Sequence, residues 1–310
     1  MAYPYLSDLV RDLTGLDLWL PVPMFGLLVA AAFVAVTLVF QHELKRLHEA
    51  GRIGPAYVPV RGTDGTKSEV PVPPQDLASN LSLLVLFAGF IGARLFSFFE
   101  YPQEFLDDPW RAIFTRSGFT FYGGFVLGLV AGVAYAIRRR IPILPGLDAV
   151  APAMALGYGI GRLGCQLSGD GDWGIAASLA AKPAWLPTWL WADTYDHNVV
   201  HALLPPPGVY PTPLYEFAMA LVSFAILWSL RRHPFRSGWL FSLYLVLTGI
   251  ARFAVEQIRV NPVVHFLGLE GTQAEILSVA VVLAGIVGLL FLTRRRDVAA
   301  GAVGSRPARR

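Results

Sequence analysis

Seven stretches of about 19 residues run nearly free of charge along this chain, near 22–40, 77–99, 119–137, 142–165, 212–230, 238–258 and 273–293. The interior of a bilayer offers no water to a bare peptide group, so such a stretch must satisfy its hydrogen bonds within itself, as a helix. This constraint predicts an all-α polytopic membrane protein with seven transmembrane helices. Only 15% of the 310 residues are charged, against about a quarter in a soluble domain, which excludes a water-soluble domain. A single cysteine, Cys165, excludes an internal disulfide framework and a multi-cysteine metal site, and no metal or other cofactor is expected.

The basic residues set the orientation. With the N-terminus outside, the inner loops and tail hold Lys45, Arg46, Arg52, Arg61 and Lys67, then Arg138 to Arg140, then Arg231, Arg232 and Arg236, and finally Arg294 to Arg296, Arg306, Arg309 and Arg310. That is 17 of the 25 Lys and Arg residues, against five in the outer segments, and it predicts N-out, C-in. The net charge of +3 is therefore spread as orientation signals, and nucleic acid is not an expected partner. Residues 1–310 read as a single membrane domain. Segment 166–211, with Trp173, Trp185, Trp189 and Trp191, reads as a small extracytoplasmic head, and 294–310 as a cytoplasmic basic tail. Loop 41–76 reads as solvated and partly flexible. The first span lacks the positive flank of a cleaved signal peptide and reads as retained. Glycines at four-residue spacing (Gly124, Gly128, Gly132; Gly157, Gly161) predict close helix packing by the third and fourth spans.

Charge inside a span is costly and marks function. Arg94, Arg162, and Arg252 with Glu256 fall toward the outer ends of the second, fourth and sixth spans. Tyr122 opens the third, and Tyr215 with Glu216 opens the fifth. Polar groups on five helices thus share one depth. Snorkelling explains one such arginine, but not the lack of matching arginines in the inner halves. Guanidinium groups present a planar fork of donors that suits phosphate. Arg252, Glu256 and Arg259 repeat at i, i+4 and i+7 along one helix face. The fourth span ends in Gly161-Arg162-Leu163-Gly164-Cys165-Gln166-Leu167-Ser168-Gly169-Asp170-Gly171-Asp172-Trp173-Gly174, whose glycines permit turns and close ligand approach beside Arg162. These residues point to a site for a phosphate-bearing lipid in the outer leaflet. Cys165 is either a nucleophile favoured by the nearby arginine or a small packing residue. Asp170 and Asp172 suit turn capping or contact with a lipid hydroxyl. His197 and His201, four apart, read as part of a solvated loop rather than a metal site.

In these motifs the chain resembles the bacterial prolipoprotein diacylglyceryl transferases, from about Phe25 to Leu292. Phe119-Thr120-Phe121-Tyr122-Gly123-Gly124-Phe125 is similar to the family's Phe-His-Gly-Gly motif, and Gly161 to Gly174 to its Gly-Arg-x-Gly-Asn signature with the Gly-Glu-x-x-Gly that follows. Pro213-Leu214-Tyr215-Glu216 resembles Gln-Leu-Tyr-Glu, Arg252-Phe253 with Glu256 and Arg259 resembles Arg-Phe-x-x-Glu-x-x-Arg, and Gln273 with Leu277-Ser278 resembles Gly-Gln-x-Leu-Ser. The resemblance implies a multi-pass protein of the bacterial inner membrane. It implies transfer of diacylglyceryl from phosphatidylglycerol to the lipobox cysteine of a prolipoprotein signal peptide, with release of glycerol phosphate. In that reading Arg162 and Arg252 hold the lipid phosphate, Glu256 orients an arginine, and Gly123, Gly124 and Gly174 shape the pocket. The candidate catalytic residues are Tyr122, Arg162, Arg252 and Glu256. The candidate substrate-binding residues are Arg94, Gly123, Gly124, Gly164, Cys165, Gly169, Asp170, Gly174, Tyr215, Glu216, Arg259 and Gln273.

The chain departs from the family pattern where protons move. The motif histidine is Tyr122, the signature asparagine is Cys165, a tyrosine one turn before Arg252 is Thr248, and a first-helix tyrosine is Phe25. The glycine-rich loop is one residue longer, with Asp170 at the glutamate position. A phenol titrates near pH 10, far above a histidine, and is a weak base at neutral pH. Two alternatives stand beside the enzyme: a catalytically altered member that binds anionic lipid or uses another acceptor, and a transporter of lipid or anionic solute. A transporter's ionisable groups belong near the midplane, and here they keep to the outer half.

Overall fold

The computed structural model describes residues 2–61, 67–100, 102–110, 120–261, 263–266 and 269–293. Phe119, Arg111, Arg116 and the basic tail 294–310 lie outside the described residues. After a short amphipathic helix α1 (Leu6–Thr14), the chain runs through α2 (Met24–Glu49), a hairpin of β1 (Ala56–Arg61) and β2 (Lys67–Val72), and α3 (Ala78–Glu100). There follow α4 (Pro102–Asp107), α5 (Phe121–Arg138), α6 (Ile143–Ser168), α7 (Thr212–Leu230) and α8 (Trp239–Glu256). A second hairpin, β3 (Val263–Phe266) with β4 (Leu269–Thr272), leads into α9 (Gln273–Leu292).

Among the described residues, six helices are long and apolar enough to cross a membrane: Met24–Glu49, Pro74–Glu100, Ile143–Ser168, Thr212–Leu230, Trp239–Glu256 and Gln273–Leu292. The third expected span appears as a shorter apolar helix, Tyr122–Arg138. The protein is thus a mostly helical polytopic membrane protein, and its two β-hairpins sit outside the spans. Lipid-facing apolar side chains stay exposed, as on α3, where Phe87, Phe90, Ile91 and Phe99 are each more than half exposed.

The body of the bundle is α2, α6, α7, α8 and α9. Gly157 of α6 packs on Val36 of α2, Gly159 on Ala220 of α7, and Gly249 of α8 on Val282 of α9. The α3–α5 pair is separate. Gly124, Gly128 and Gly132 of α5 face Gly89, Ala93 and Val85 of α3, so this stripe serves the contact within the pair and not one with α6. The buried clusters that join the pair to the body hold Ala78 and Leu81 of α3 against Phe40 and Leu44 of α2, and Tyr135 and Ala136 of α5 beside Leu77 and Ile141.

At that same end the sequence reading of 41–76 as flexible is corrected. Helix α2 continues to Glu49 because Glu43, Leu44 and Leu47 are buried. The first hairpin is tied down by the Tyr57 amide on the Arg139 carbonyl (3.1 Å) and by Arg140 on Glu69 (2.6 Å). Glu43 is shared by Arg46 (2.6 Å) and Arg231 (3.4 Å). Asp148 accepts from the amides of Gly238 (2.8 Å) and Phe241 (3.1 Å), which caps the start of α8, with Arg52 at 3.7 Å. These two buried acids were not singled out by sequence because nothing local marks their partners.

At the opposite end, residues 169–211 fold over the bundle with a small core of Tyr195 and Val209 packed with Ala2, Trp173 and Leu204. The Ala2 amide donates to the Asp196 carbonyl (3.0 Å), so the N-terminal residues belong to this end. Burial pushes the Tyr195 phenol up, keeping it a neutral donor to Gln166 (2.7 Å). Trp185 and Trp189 project from this surface, exposed. His197 and His201 lie in turns, both with positive φ, and not on a helix.

Candidate active site

The site forms where α6, α7 and α8 end against the head. Helix α6 closes with Gly169 in the left-handed conformation (φ 63°), its amide donating to the Cys165 carbonyl at 3.0 Å. The chain can then turn back, and Gly174 forms an isolated bridge with Arg259 just beyond α8. A Cβ on Gly174 would come within 2.5 Å of the Ile258 carbonyl and 2.9 Å of the Thr212 methyl, so only glycine permits this approach. Thr212 Oγ1 donates to the Asp172 carbonyl at 2.8 Å and fixes the loop onto the start of α7.

Two acids and two guanidinium groups interlock there. Arg162 Nε reaches Glu216 Oε2 at 3.1 Å, and its Nη1 is paired with Asp172 Oδ2. Arg259 Nη2 meets the other oxygen of Asp172 at 3.0 Å, and its Nη1 lies 3.7 Å from Glu216. Tyr158, one turn before Arg162, donates to Glu216 at 2.6 Å, receives Arg162 Nε at 3.1 Å and lies under the guanidinium, 5.2 Å from its ring centroid. Burial alone would raise the Asp172 carboxyl. The two arginines outweigh it and hold the carboxyl below its ordinary value of 3.8.

A second pair adjoins on α8. Arg252 Nη2 lies 2.8 Å from Glu256 Oε2, and the other Glu256 oxygen accepts from Asn261 (2.6 Å) and Thr272 Oγ1 (2.5 Å). Thr272 also caps α9 in a reciprocal box with Glu275. Three guanidinium groups thus pair with the three carboxylates Asp172, Glu216 and Glu256, and Asp170 adds a fourth carboxyl beside Cys165 and Asp172. The cluster retains unused donors: Arg252 Nη1 and Arg259 Nε are buried without a hydrogen-bond partner.

Sequence-predicted residues divide in two. Arg162, Glu216, Arg252, Glu256, Arg259 and Gly174 converge here. Cys165 Sγ lies 3.8 Å from Arg162 Nη1, and Asp170 accepts the Asp172 amide at 3.2 Å. Cys165, Asp170 and Asp172 bring their ligating atoms within 4.8 Å of one another, and Arg162 Nη1 contacts two of them, Cys165 and Asp172. Gly164 packs on Phe25 and Leu28 of α2, and Gly169 on Asn198. Tyr215 points into the head, donating to the Leu190 carbonyl at 2.6 Å. Gln273 is exposed, and its neighbour Thr272 is the residue that reaches Glu256. Tyr122, Gly123, Gly124 and Arg94 belong to the α3–α5 pair. Tyr122 is 46% exposed, Arg94 lies over the Phe98 ring at 5.9 Å, and Gly123 and Gly124 face Gly92 and Gly89. Sequence reasoning missed Tyr158, Asn261 and Thr272, and read Asp172 as a turn cap or a contact for a lipid hydroxyl, not as a partner of two arginines. Only Tyr158 carried a signal, its place four residues before Arg162.

Comparison with known proteins shows which sequences this chain is similar to. A family model described as prolipoprotein diacylglyceryl transferase matches residues 14–291. A Leptospira interrogans protein named phosphatidylglycerol–prolipoprotein diacylglyceryl transferase is 28% identical over 288 residues, covering 84% of this chain and 78% of its own. Proteins of the same name from Chromohalobacter salexigens (33% over 226 residues; 72% and 77% of the two chains) and Methylobacillus flagellatus (33% over 220 residues; 69% and 76%) are also similar.

Proposed function

Because the chain belongs to the prolipoprotein diacylglyceryl transferase family, we infer that it is a multi-pass membrane transferase that moves the diacylglyceryl group of phosphatidylglycerol to a prolipoprotein. The acceptor is the lipobox cysteine of the signal peptide. Its sulfur attacks the diacylglyceryl carbon that carries the phosphate, a C–S bond forms as the C–O bond breaks, and glycerol phosphate departs with the bonding electrons. The thiol gives up its proton to a base or to water. Charge grows on the departing phosphate, and fixed guanidinium donors aimed at it stabilise that change most.

The observation that carries the assignment of roles is the set of buried, unused donors on Arg252 and Arg259, next to Arg162. A phosphate oxygen supplies the acceptor these groups lack. Arg162, Arg252 and Arg259 hold the phosphate, Glu256 positions Arg252, and Glu216 with Tyr158 positions Arg162. The 17-to-5 bias of basic residues supports a protein of the bacterial inner membrane with seven spans, its head and N-terminus outside and its C-terminus in the cytoplasm.

Purified protein incubated with phosphatidylglycerol and a lipobox peptide should give a peptide heavier by one diacylglyceryl group, with equimolar glycerol phosphate. Absence of the adduct, or its persistence with a peptide whose cysteine is replaced by serine, refutes the reaction. Cysteines placed at 175–200 in a Cys165-free protein should label from outside intact cells. Labelling at 50–65 instead overturns the orientation.

A further inference from the structure

Arg162 and Arg259 already hold an anion supplied by the chain. Asp172 places one carboxylate oxygen on Arg162 and the other on Arg259, the two-point contact that two non-bridging phosphate oxygens make with a pair of guanidinium groups. Glu216 shares the same arginines but is only 2% exposed and fixed by Tyr158, whereas the Asp172 side chain is 39% exposed. Asp172 also sits in a loop between Gly171, at φ 99°, and the Gly174 bridge, not on a helix. Of the two acids, it is the one that can swing out while the arginines stay in place. Each of the three arginines already has a carboxylate partner and Asp170 adds a further carboxyl nearby, so a lipid phosphate added to the intact cluster would bring negative charge with no unmatched cation to meet it.

Taking Arg162 and Arg259 as phosphate holders, we propose that Asp172 is a tethered anion that phosphatidylglycerol displaces on binding, and that it sets the selectivity of the site for phosphate over carboxylate. A free fatty acid offers the same carboxylate as Asp172 but without the tether. The loop keeps Asp172 at an effective concentration on the order of millimolar, so an untethered carboxylate of equal intrinsic affinity loses. A phosphodiester wins because its ester oxygens and glycerol head group reach the spare donors of Arg252 and Arg259, contacts that neither Asp172 nor a fatty-acid carboxylate makes. No proton is needed for the exchange.

The test measures binding of short-chain phosphatidylglycerol to the full-length protein in neutral detergent by calorimetry, with decanoate as competitor. Asp172→Asn keeps the side chain's shape and leaves untouched the backbone contacts to Thr212 and Asp170. It should bind the lipid at least threefold more tightly than the parent, and decanoate should compete in the variant while leaving the parent unaffected. Asp172→Ser should follow Asp172→Asn, and Asp172→Glu should behave as the parent. An unchanged or weaker affinity in both Asn and Ser variants, or equal competition by decanoate in variant and parent, overturns the proposal. Arg162→Ala is a separate control: its loss of lipid binding reports on the phosphate reading alone, whereas the change from parent to Asp172→Asn reports on the exchange.

Discussion

Glu256→Gln removes one charge and almost no volume, so it isolates what the carboxylate does for Arg252. Glu256 has a fully buried side chain that accepts three close contacts, from Arg252 at 2.8 Å, Asn261 at 2.6 Å and Thr272 at 2.5 Å. Removing one partner from a buried ion pair typically costs about 3–5 kcal/mol. Two features reduce that here. Arg252 is 28% exposed and recovers some water, and the glutamine amide still bonds Asn261, whose own amide can turn, and the Thr272 hydroxyl. A cost of about 2 kcal/mol remains, and if it falls on the placement of Arg252 the loss in kcat/KM is roughly 30-fold. The assay is transfer from short-chain phosphatidylglycerol to a lipobox peptide, followed by mass analysis. Since the phosphate is held in the ground state and more strongly in the transition state as its charge grows, KM should rise and kcat fall together. A thermal melt of the same preparation separates positioning from unfolding. Activity within threefold of the parent in a folded Glu256→Gln protein refutes the positioning role.

Arg162→Lys, which keeps the charge but loses the fork, should retain no more than about a hundredth of the transfer rate, because one ammonium cannot serve Glu216, Tyr158 and phosphate in the same plane. Near-parental rates in that variant show that charge alone suffices. Tyr122→His should raise activity near pH 7 and Tyr122→Phe should nearly abolish it if this half-exposed phenol on α5 meets the acceptor thiol; equal activity in all three proteins makes it a lipid-facing anchor. For pH, the Asp172 carboxyl is held low in the folded protein, so its contribution to stability is complete above the ordinary carboxylate value and lost as pH falls through the depressed one. The difference in melting temperature between parent and Asp172→Asn should stay constant from pH 8 to about 5 and shrink only below about 4. A difference that disappears between pH 7 and 6 contradicts the sign.

Much of this protein was legible in its sequence, and the reason is the solvent. A bilayer obliges each spanning segment to close its own backbone hydrogen bonds, so a local window of apolar residues carries the information for an element, and six of the expected spans appear close to where they were expected. The cost of burying charge likewise made Arg162, Arg252 and Glu256 conspicuous without any knowledge of their partners. The partners themselves were decided by tertiary structure. Asp172 bridges Arg162, ten residues away, and Arg259, 87 residues away; Thr272 reaches Glu256 from the far side of a hairpin. Such pairings depend on which helix faces meet and how the loop after Gly169 folds back, and no periodicity within one segment encodes them. The same holds for Tyr122 and Arg94. Depth along the membrane, which composition reveals, put them level with the arginines, while the glycine contacts between α3 and α5 placed them on a separate helix pair.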